Sequence, residues 1–140
     1  MLPWRRRIET AAELLRRDLG IRRPTPLLWV DAPATAGAAY DEKSEDGDIH
    51  YPEHHLEQAK PEHLVRGLTE EIRHAWQDDV RRGLTDHPLG DVGRRALECG
   101  FMTYDENEPR NDTSNILELD AKERAEWCVD GYLGNPSNFD

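Results

Sequence analysis

The chain has 140 residues, of which 36% are hydrophobic and 34% charged, so it is long enough for one hydrophobic core and too short for two ordinary domains. It carries 29 acidic against 18 basic residues, a formal net charge of -11, which disfavours nucleic acid and anionic lipid as partners of its broad surface. No stretch approaches the roughly 18 apolar residues of a membrane span, and the basic start lacks the apolar core of a signal peptide, so a cytoplasmic protein is expected.

The first predicted elements are a helix and three short strands. Apolar side chains recur over residues 4–19 at the spacing of one helical face, and a glycine follows them. After two prolines, the apolar run at 27–30 predicts a buried strand. Residues 36–40 and 48–51 flank a polar stretch that contains an Asp-Gly turn signal, and this pattern predicts a hairpin.

A long helix is predicted from Pro61 to about Arg82. Proline suits the first turn of a helix, and Gly83 supplies the stop. One side of this helix is apolar and is expected to face the core.

The remainder of the chain predicts a long connection and a last helix. Residues 85–113 are rich in Gly, Pro, Asp and Asn, with one short helix near 92–99, and long ordered connections in small domains often serve a site. Ser114 or Asn115 is a candidate cap for a helix over 116–133. The pattern predicts an α+β fold: a single domain at 1–133 with an N-terminal helix, a short three-stranded sheet, a long helix and a C-terminal helix, followed by a tail at 134–140.

The long helix carries candidate functional residues beside its apolar side. Glu70 and His74 are four residues apart, so they lie one above the other, with Glu71 between them and the apolar side. The string Glu70-Glu71-Ile72-Arg73-His74 resembles the HExxH motif of the zincin metallopeptidases. In that motif two histidines one helical turn apart bind zinc, and the intervening glutamate activates the bound water. By this resemblance Glu71 matches the general base, His74 matches the second ligand, and Glu70 stands in place of the first histidine.

A second string, on the last helix, extends the resemblance. In the gluzincin branch of that family the third zinc ligand is a glutamate within an ExxA string on a later helix. Here Glu118 and Ala121 match that string, and Ala125 follows. Since the three share one helical face, the Glu118 carboxylate is expected to point inward from a helix that its neighbours can approach closely.

The order of elements over residues 27–130 also resembles minimal gluzincins. In that family a hairpin strand, here ending Ile49-His50-Tyr51, forms the edge along which the substrate backbone lies. The resemblance therefore implies a zinc site formed by Glu70, His74 and Glu118, with Ile49 and Tyr51 contacting substrate. An anionic ligand in place of a histidine would reduce the ability of the metal to acidify water.

Two functions from different classes remain open. The first is a zinc-dependent peptidase, active or weakly active. The second is a non-catalytic relative that acts as a structural, assembly or partner-binding protein, for example an inhibitor or, if the source is viral, a virion component. Taken singly, each acidic or histidine residue is also explained as part of a solvated helix face. An acidic mimic of DNA ranks last, because it depends on net charge alone.

The second function is motivated by the segregation of charge along the chain. Arg5, Arg6 and Arg7 open a cationic first helix within an anionic protein. These arginines are expected either to pair with acidic residues of the same chain or to dock on an acidic protein or peptide partner, within a larger assembly.

Lysine and cysteine are both scarce in this chain. Fifteen of the 18 cations are arginine, a composition typical of proteins from organisms with molar cytoplasmic salt and equally of a GC-rich genome with an ordinary acidic surface. The two cysteines, Cys99 and Cys128, do not form a CxxC unit. We expect both to be small buried residues, reduced in a cytoplasm, and a disulfide between them stays open.

The remaining histidines offer weaker candidate sites. His50 and His54 satisfy an inverted HxxEH motif, but Pro52 would interrupt the helical turn that this motif requires, so it is rejected. His54, His55 and His63 form either an adventitious metal patch or, more simply, part of a solvated loop.

Overall fold

The structure, a computed structural model, describes residues 4–33, 37–58, 60–104 and 115–133. This part of the chain forms a small α+β fold, as the sequence predicted. The predicted tail at 134–140 and most of the polar loop before the last helix lie outside the described residues. The elements in chain order are α1 (Trp4–Leu19), β1 (Leu27–Val30), β2 (Ala39–Tyr40), β3 (Ile49–Pro52), α2 (His55–Gln58), α3 (Pro61–Arg81), α4 (Gly90–Thr103) and α5 (Ile116–Leu133).

The three strands form one mixed sheet in the order β1-β3-β2. The predicted hairpin is confirmed, since β2 pairs with β3 in antiparallel fashion, with Tyr40 opposite Ile49. Strand β1 lies on the other side of β3 and runs parallel to it, with Trp29 opposite Tyr51. Strand β3 is therefore central, and β1 and β2 are the edges.

The central position of β3 overturns one expectation about substrate binding. Ile49 and Tyr51 are 1% and 0% exposed, respectively, and both belong to the hydrophobic core. The Tyr51 hydroxyl donates to the carbonyl oxygen of Leu64 at 3.0 Å. These two residues cannot line an open edge, so their predicted role in contacting substrate was wrong. The error arose because β1 pairs in parallel with β3, and nothing in the sequence indicated on which side of the hairpin β1 would pair.

The core lies between one face of the sheet and the apolar side of α3. Leu64, Leu68 and Ile72 project from α3 into this core, and Ile8 of α1 joins them. The other face of the sheet is open, since Leu28 of β1 is 40% exposed. Burial of the α3 stripe confirms the predicted orientation of the long helix.

Glycines and a cap set the helix ends at the predicted places. Gly83 has φ +76° after α3, its N–H donates to Val80, and the N–H of Leu84 reaches the carbonyl of Asp79. This pattern is a Schellman motif, which glycine permits because it lacks a Cβ. At the start of α5, Asn115 accepts the N–H of Leu117 at 2.9 Å and is the cap.

Small residues bring α3, α4 and α5 close together. Ala121 and Ala125 of α5 are fully buried, as the shared helical face predicted. Helix α4 is longer than expected, because Gly93, Leu97 and Gly100 recur at helical spacing and are all buried. A Cβ at Gly100 would lie only 2.6 Å from the Ile116 side chain, so glycine is required where α4 meets α5.

Among the helices that the structure describes, none has the length and apolar character needed to traverse a bilayer.

Candidate functional site

The site is centred on a contact between α3 and α5. His74 of α3 and Glu118 of α5 lie with Nε2 and Oε1 3.3 Å apart, although 43 residues of chain separate them in the numbering. Both side chains are largely buried, with 17% and 15% of their surfaces exposed. Ala121 is one helical turn beyond Glu118 and allows the approach. The inward orientation of Glu118 was predicted from the sequence, and the two residues do meet.

Gln77 holds the other side of the His74 ring. Its Oε1 lies 2.9 Å from His74 Nδ1, while its Nε2 donates to the carbonyl of Leu117 and to Asp120 at 3.0 and 2.8 Å. Asp120 also accepts two hydrogen bonds from Arg73. The imidazole is therefore fixed between two helices at both nitrogens. Sequence analysis did not identify Gln77, although its position three residues after His74 was a signal that it shares that side of the helix.

Glu71 joins the long helix to the edge strand of the sheet. The backbone N–H of Tyr40 in β2 donates to Glu71 Oε2 at 2.7 Å. Because the next residue, Asp41, uses its N–H to bond Asp48 of the neighbouring strand, the N–H of Tyr40 points the other way, outward from the sheet. Glu71 thus occupies the open edge of β2.

The side chain of Tyr40 is held as firmly as its backbone. Its hydroxyl donates to Asp78 at 2.6 Å and accepts from Arg23 at 2.7 Å. Arg23 also pairs with the fully buried Asp79. This ionic cluster at the end of α3 fixes β2 against the helix that carries the site.

Burial and neighbouring charges shift the site pKa values in different directions. Burial raises the pKa of Glu71 to about 7, against the opposing effect of His74. Burial alone would lower the pKa of His74, but its hydrogen bond to Glu118 and the charge of Glu71 raise it to about 9. The same hydrogen bond lowers the pKa of Glu118, and burial raises that of Glu70. At neutral pH the site therefore holds an imidazolium–carboxylate pair beside a carboxyl group that titrates near neutrality.

A cavity of about 510 Å³ opens onto His74 and Glu118. Its walls include Tyr40 and Lys43 from the hairpin and Tyr104 from the end of α4. The Tyr104 hydroxyl donates a hydrogen bond to Glu118. The pair is thus accessible from solvent through a cleft between the hairpin and the ends of two helices.

The carboxylates and histidines of the described residues form one compact group of three with the spacing of metal ligands. This group is Asp41, Asp48 and His50, whose ligand atoms all lie within 4.8 Å of one another. Within the same part of the chain, Glu70 does not complete such a group with His74 and Glu118. Of the three zinc ligands that the resemblance implies, His74 and Glu118 are in contact and Glu70 is not grouped with them. A different group of three possible ligands lies on the hairpin.

The arginines proposed for docking mostly have partners within the chain. Arg5 pairs with Glu53 at 2.7 Å and stacks over Trp29. Arg7 is only 7% exposed and lies over the ring of Trp4, so a docking role for Arg7 was wrong. Arg6 is exposed. Amphipathic arginines can pack their stems and planes on aromatic rings, which the charge pattern alone did not indicate.

The two cysteines and the histidines at positions 54, 55 and 63 do not belong to the metal-ligand group found among the described residues. Cys99 and Cys128 are both free thiols; Cys128 is buried as expected, whereas Cys99 is exposed on α4. His54 packs against His55, with ring centroids 4.7 Å apart. His63 is exposed at the start of α3.

Comparisons with protein-family models, with curated proteins and with solved structures gave no match to this chain.

Proposed function

We propose that the protein is a metal-dependent peptidase of the zincin type, with its site at His74, Glu118 and Glu71. The observation that carries this proposal is the 3.3 Å contact between His74 and Glu118 at the base of an open cavity. The proposed substrate is a protein or peptide.

The donor pair fits a shared zinc ion. Two ligands of one tetrahedral metal with bonds of about 2.0 to 2.1 Å lie roughly 3.3 to 3.4 Å apart, which matches the His74–Glu118 distance. Glu70 is the proposed third ligand. It is half-buried one turn before His74, and rotation of its side chain would complete the set. When bound, zinc would polarise a peptide carbonyl and lower the pKa of a bound water.

Glu71 is the proposed general base. A carboxyl group with a pKa of about 7 accepts a proton readily at neutral pH and releases it again, which suits proton transfer. Its present partner is the N–H of Tyr40, an edge-strand donor that an extended peptide could also use. Substrate binding along β2 would therefore compete for this N–H and free Glu71 for the attacking water.

The same hydrogen bond favours a second candidate function. In a non-catalytic relative, Glu71 would serve only to fasten β2 to α3, and the cleft would bind a protein partner without cleaving it. The two functions differ in what Glu71→Gln does, because an amide oxygen keeps the bond to Tyr40 but is not a base.

Zinc titration calorimetry and a peptidase assay test the proposal. Wild type should bind a zinc ion at the cleft, and His74→Ala and Glu118→Gln should each weaken binding of that ion at least tenfold, whereas Glu70→His should strengthen it. Glu126→Gln, an exposed change on the same helix as Glu118, is the control. Zinc binding that His74→Ala leaves unchanged, or no binding in low or molar salt, would overturn the metal site.

Cleavage of a quenched-fluorescent peptide library then separates the two functions. Glu71→Gln should abolish cleavage while zinc affinity stays within about twofold. If wild type binds zinc but cleaves nothing, the non-catalytic function replaces the enzyme.

A further inference from the structure

We propose that Asp41, Asp48 and His50 form a second divalent-cation site, on the hairpin and separate from the cleft pair. The three ligand atoms lie within 4.8 Å of one another, and all three side chains are half-buried. Neither the HExxH-like string nor the ExxA string contains any of these residues.

Strand register brings the three side chains together. Tyr40 lies opposite Ile49, so Asp41 and Asp48 face one another across the hairpin, joined by the Asp41 N–H to Asp48 carbonyl bond of 2.9 Å. Asp48 and His50 are two residues apart and therefore share a face of the strand. That face is the open one, since Leu28, the partner of His50 on β1, is 40% exposed. The site thus lies on the side of the sheet away from the core, and Asp41 is the one member of the triad that also lines the cleft beside His74 and Glu118.

The charges at this position lack a cation. Like charges directly opposite one another across an antiparallel pair are destabilising. The other partly or fully buried aspartates in the described ranges have arginine partners, such as Asp79 with Arg23 and Asp120 with Arg73. Asp41 accepts the backbone N–H of Lys43 at 3.0 Å, but within those ranges neither Asp41 nor Asp48 forms an ion pair with a side chain, although the chain has fifteen arginines. A bound cation would neutralise this pair.

The donor set indicates the class of metal. Two carboxylates and one imidazole suit Zn²⁺ or Mn²⁺, with water in the remaining positions, better than Ca²⁺ or Mg²⁺, which prefer oxygen alone. Such an ion would link the ends of β2 and β3. Because β2 contains only Ala39 and Tyr40, this link would hold the strand whose N–H meets Glu71. The ion would thus stabilise one wall of the cleft.

Calorimetric zinc titration of the full chain in a His74→Ala background tests this site independently of the cleft. That variant should still bind one zinc, and adding His50→Gln or Asp48→Asn should weaken binding at least tenfold. Glu45→Gln, an exposed change in the same turn, should leave affinity within twofold. No zinc binding to His74→Ala, or binding that His50→Gln does not change, would overturn the hairpin site without bearing on the cleft.

A second measurement needs no variant. Mn²⁺ added to the wild-type protein at sub-stoichiometric levels should selectively broaden the amide NMR signals of Asp41, Asp48 and His50. Equal concentrations of Mg²⁺ should not compete. Broadening of α3, α5 and the cleft-lining Asp41 without broadening of Asp48 and His50 would place the ion in the cleft alone and refute the hairpin site.

Discussion

Replacing Gln77 with leucine tests whether the site is held by its hydrogen bonds or only by packing. Gln77 is fully buried, and its amide contacts His74, Leu117 and Asp120. Leu117 keeps its own α-helical bond and Asp120 keeps Arg73 after the change. The His74 Nδ1–H, however, is left without its acceptor.

Leaving a buried donor unpaired costs about 1 to 3 kcal/mol, and each of the other two lost bonds adds up to about 1 kcal/mol. We therefore expect Gln77→Leu to lower the free energy of unfolding by about 2 to 4 kcal/mol in the metal-free protein. With a urea m-value of about 2 kcal/mol/M, the midpoint should fall by roughly 1 to 2 M.

Thr69→Val is the matched control on the same helix. The Thr69 hydroxyl is also buried, but it donates to the carbonyl of Val65, which keeps its helical partner. The change should cost less than about 1 kcal/mol. Equal losses for the two variants in urea titrations followed by circular dichroism would refute the argument that Gln77 fixes His74 through specific bonds.

Two further predictions concern buried charge. In metal-free protein, NMR titration of His74 should give a pKa near about 9 rather than 6.5, and Glu118→Gln should lower it. Folding raises this pKa, so the contribution of the His74–Glu118 pair to stability is fully present below about pH 6.5. On the order of 3 kcal/mol of that contribution is lost as the pH rises to about 9. A pKa of His74 near 6.5 in the wild-type protein would contradict the contact. Asp79→Ala should cost about 3 kcal/mol or more in thermal or urea unfolding, because it removes the carboxylate that pairs with the buried Arg23 and accepts the N–H of Arg22. Asp18→Ala, which removes a pair with an exposed aspartate, should cost less than about 1 kcal/mol. A small loss for Asp79→Ala would mean that Asp78, 3.8 Å from Arg23, replaces it.

Local rules in the sequence predicted much of the candidate site. The four-residue spacing of Glu70 and His74 placed them on one side of α3, and the alanines after Glu118 indicated which side of α5 would be buried. The resulting contact of His74 with Glu118 agrees with that reasoning. The roles of these residues in binding zinc and in catalysis stay predictions.

The supporting residues were not predicted, because their partners are distant in the chain. Gln77 reaches Leu117 and Asp120, and Tyr40 reaches Glu71 and Asp78, through contacts that have no periodic signal. Arg7 carried a charge that suggested solvent, yet it is buried against Trp4. Such contacts depend on how the helices and strands pack against one another, and the composition of the chain does not reveal that packing.

The sequence by itself determined where α1, α3 and α5 begin and end, because caps, glycine stops and apolar periodicity act within a few residues. Gly83 after α3 and Asn115 before α5 are instances. Only the tertiary structure decided that β1 pairs in parallel with β3. This pairing makes β3 the central strand, with Ile49 and Tyr51 buried, and leaves β2 as the edge beside Glu71. Strand order depends on which hydrophobic faces meet across the whole core, so it is a property of the packed molecule and not of any segment.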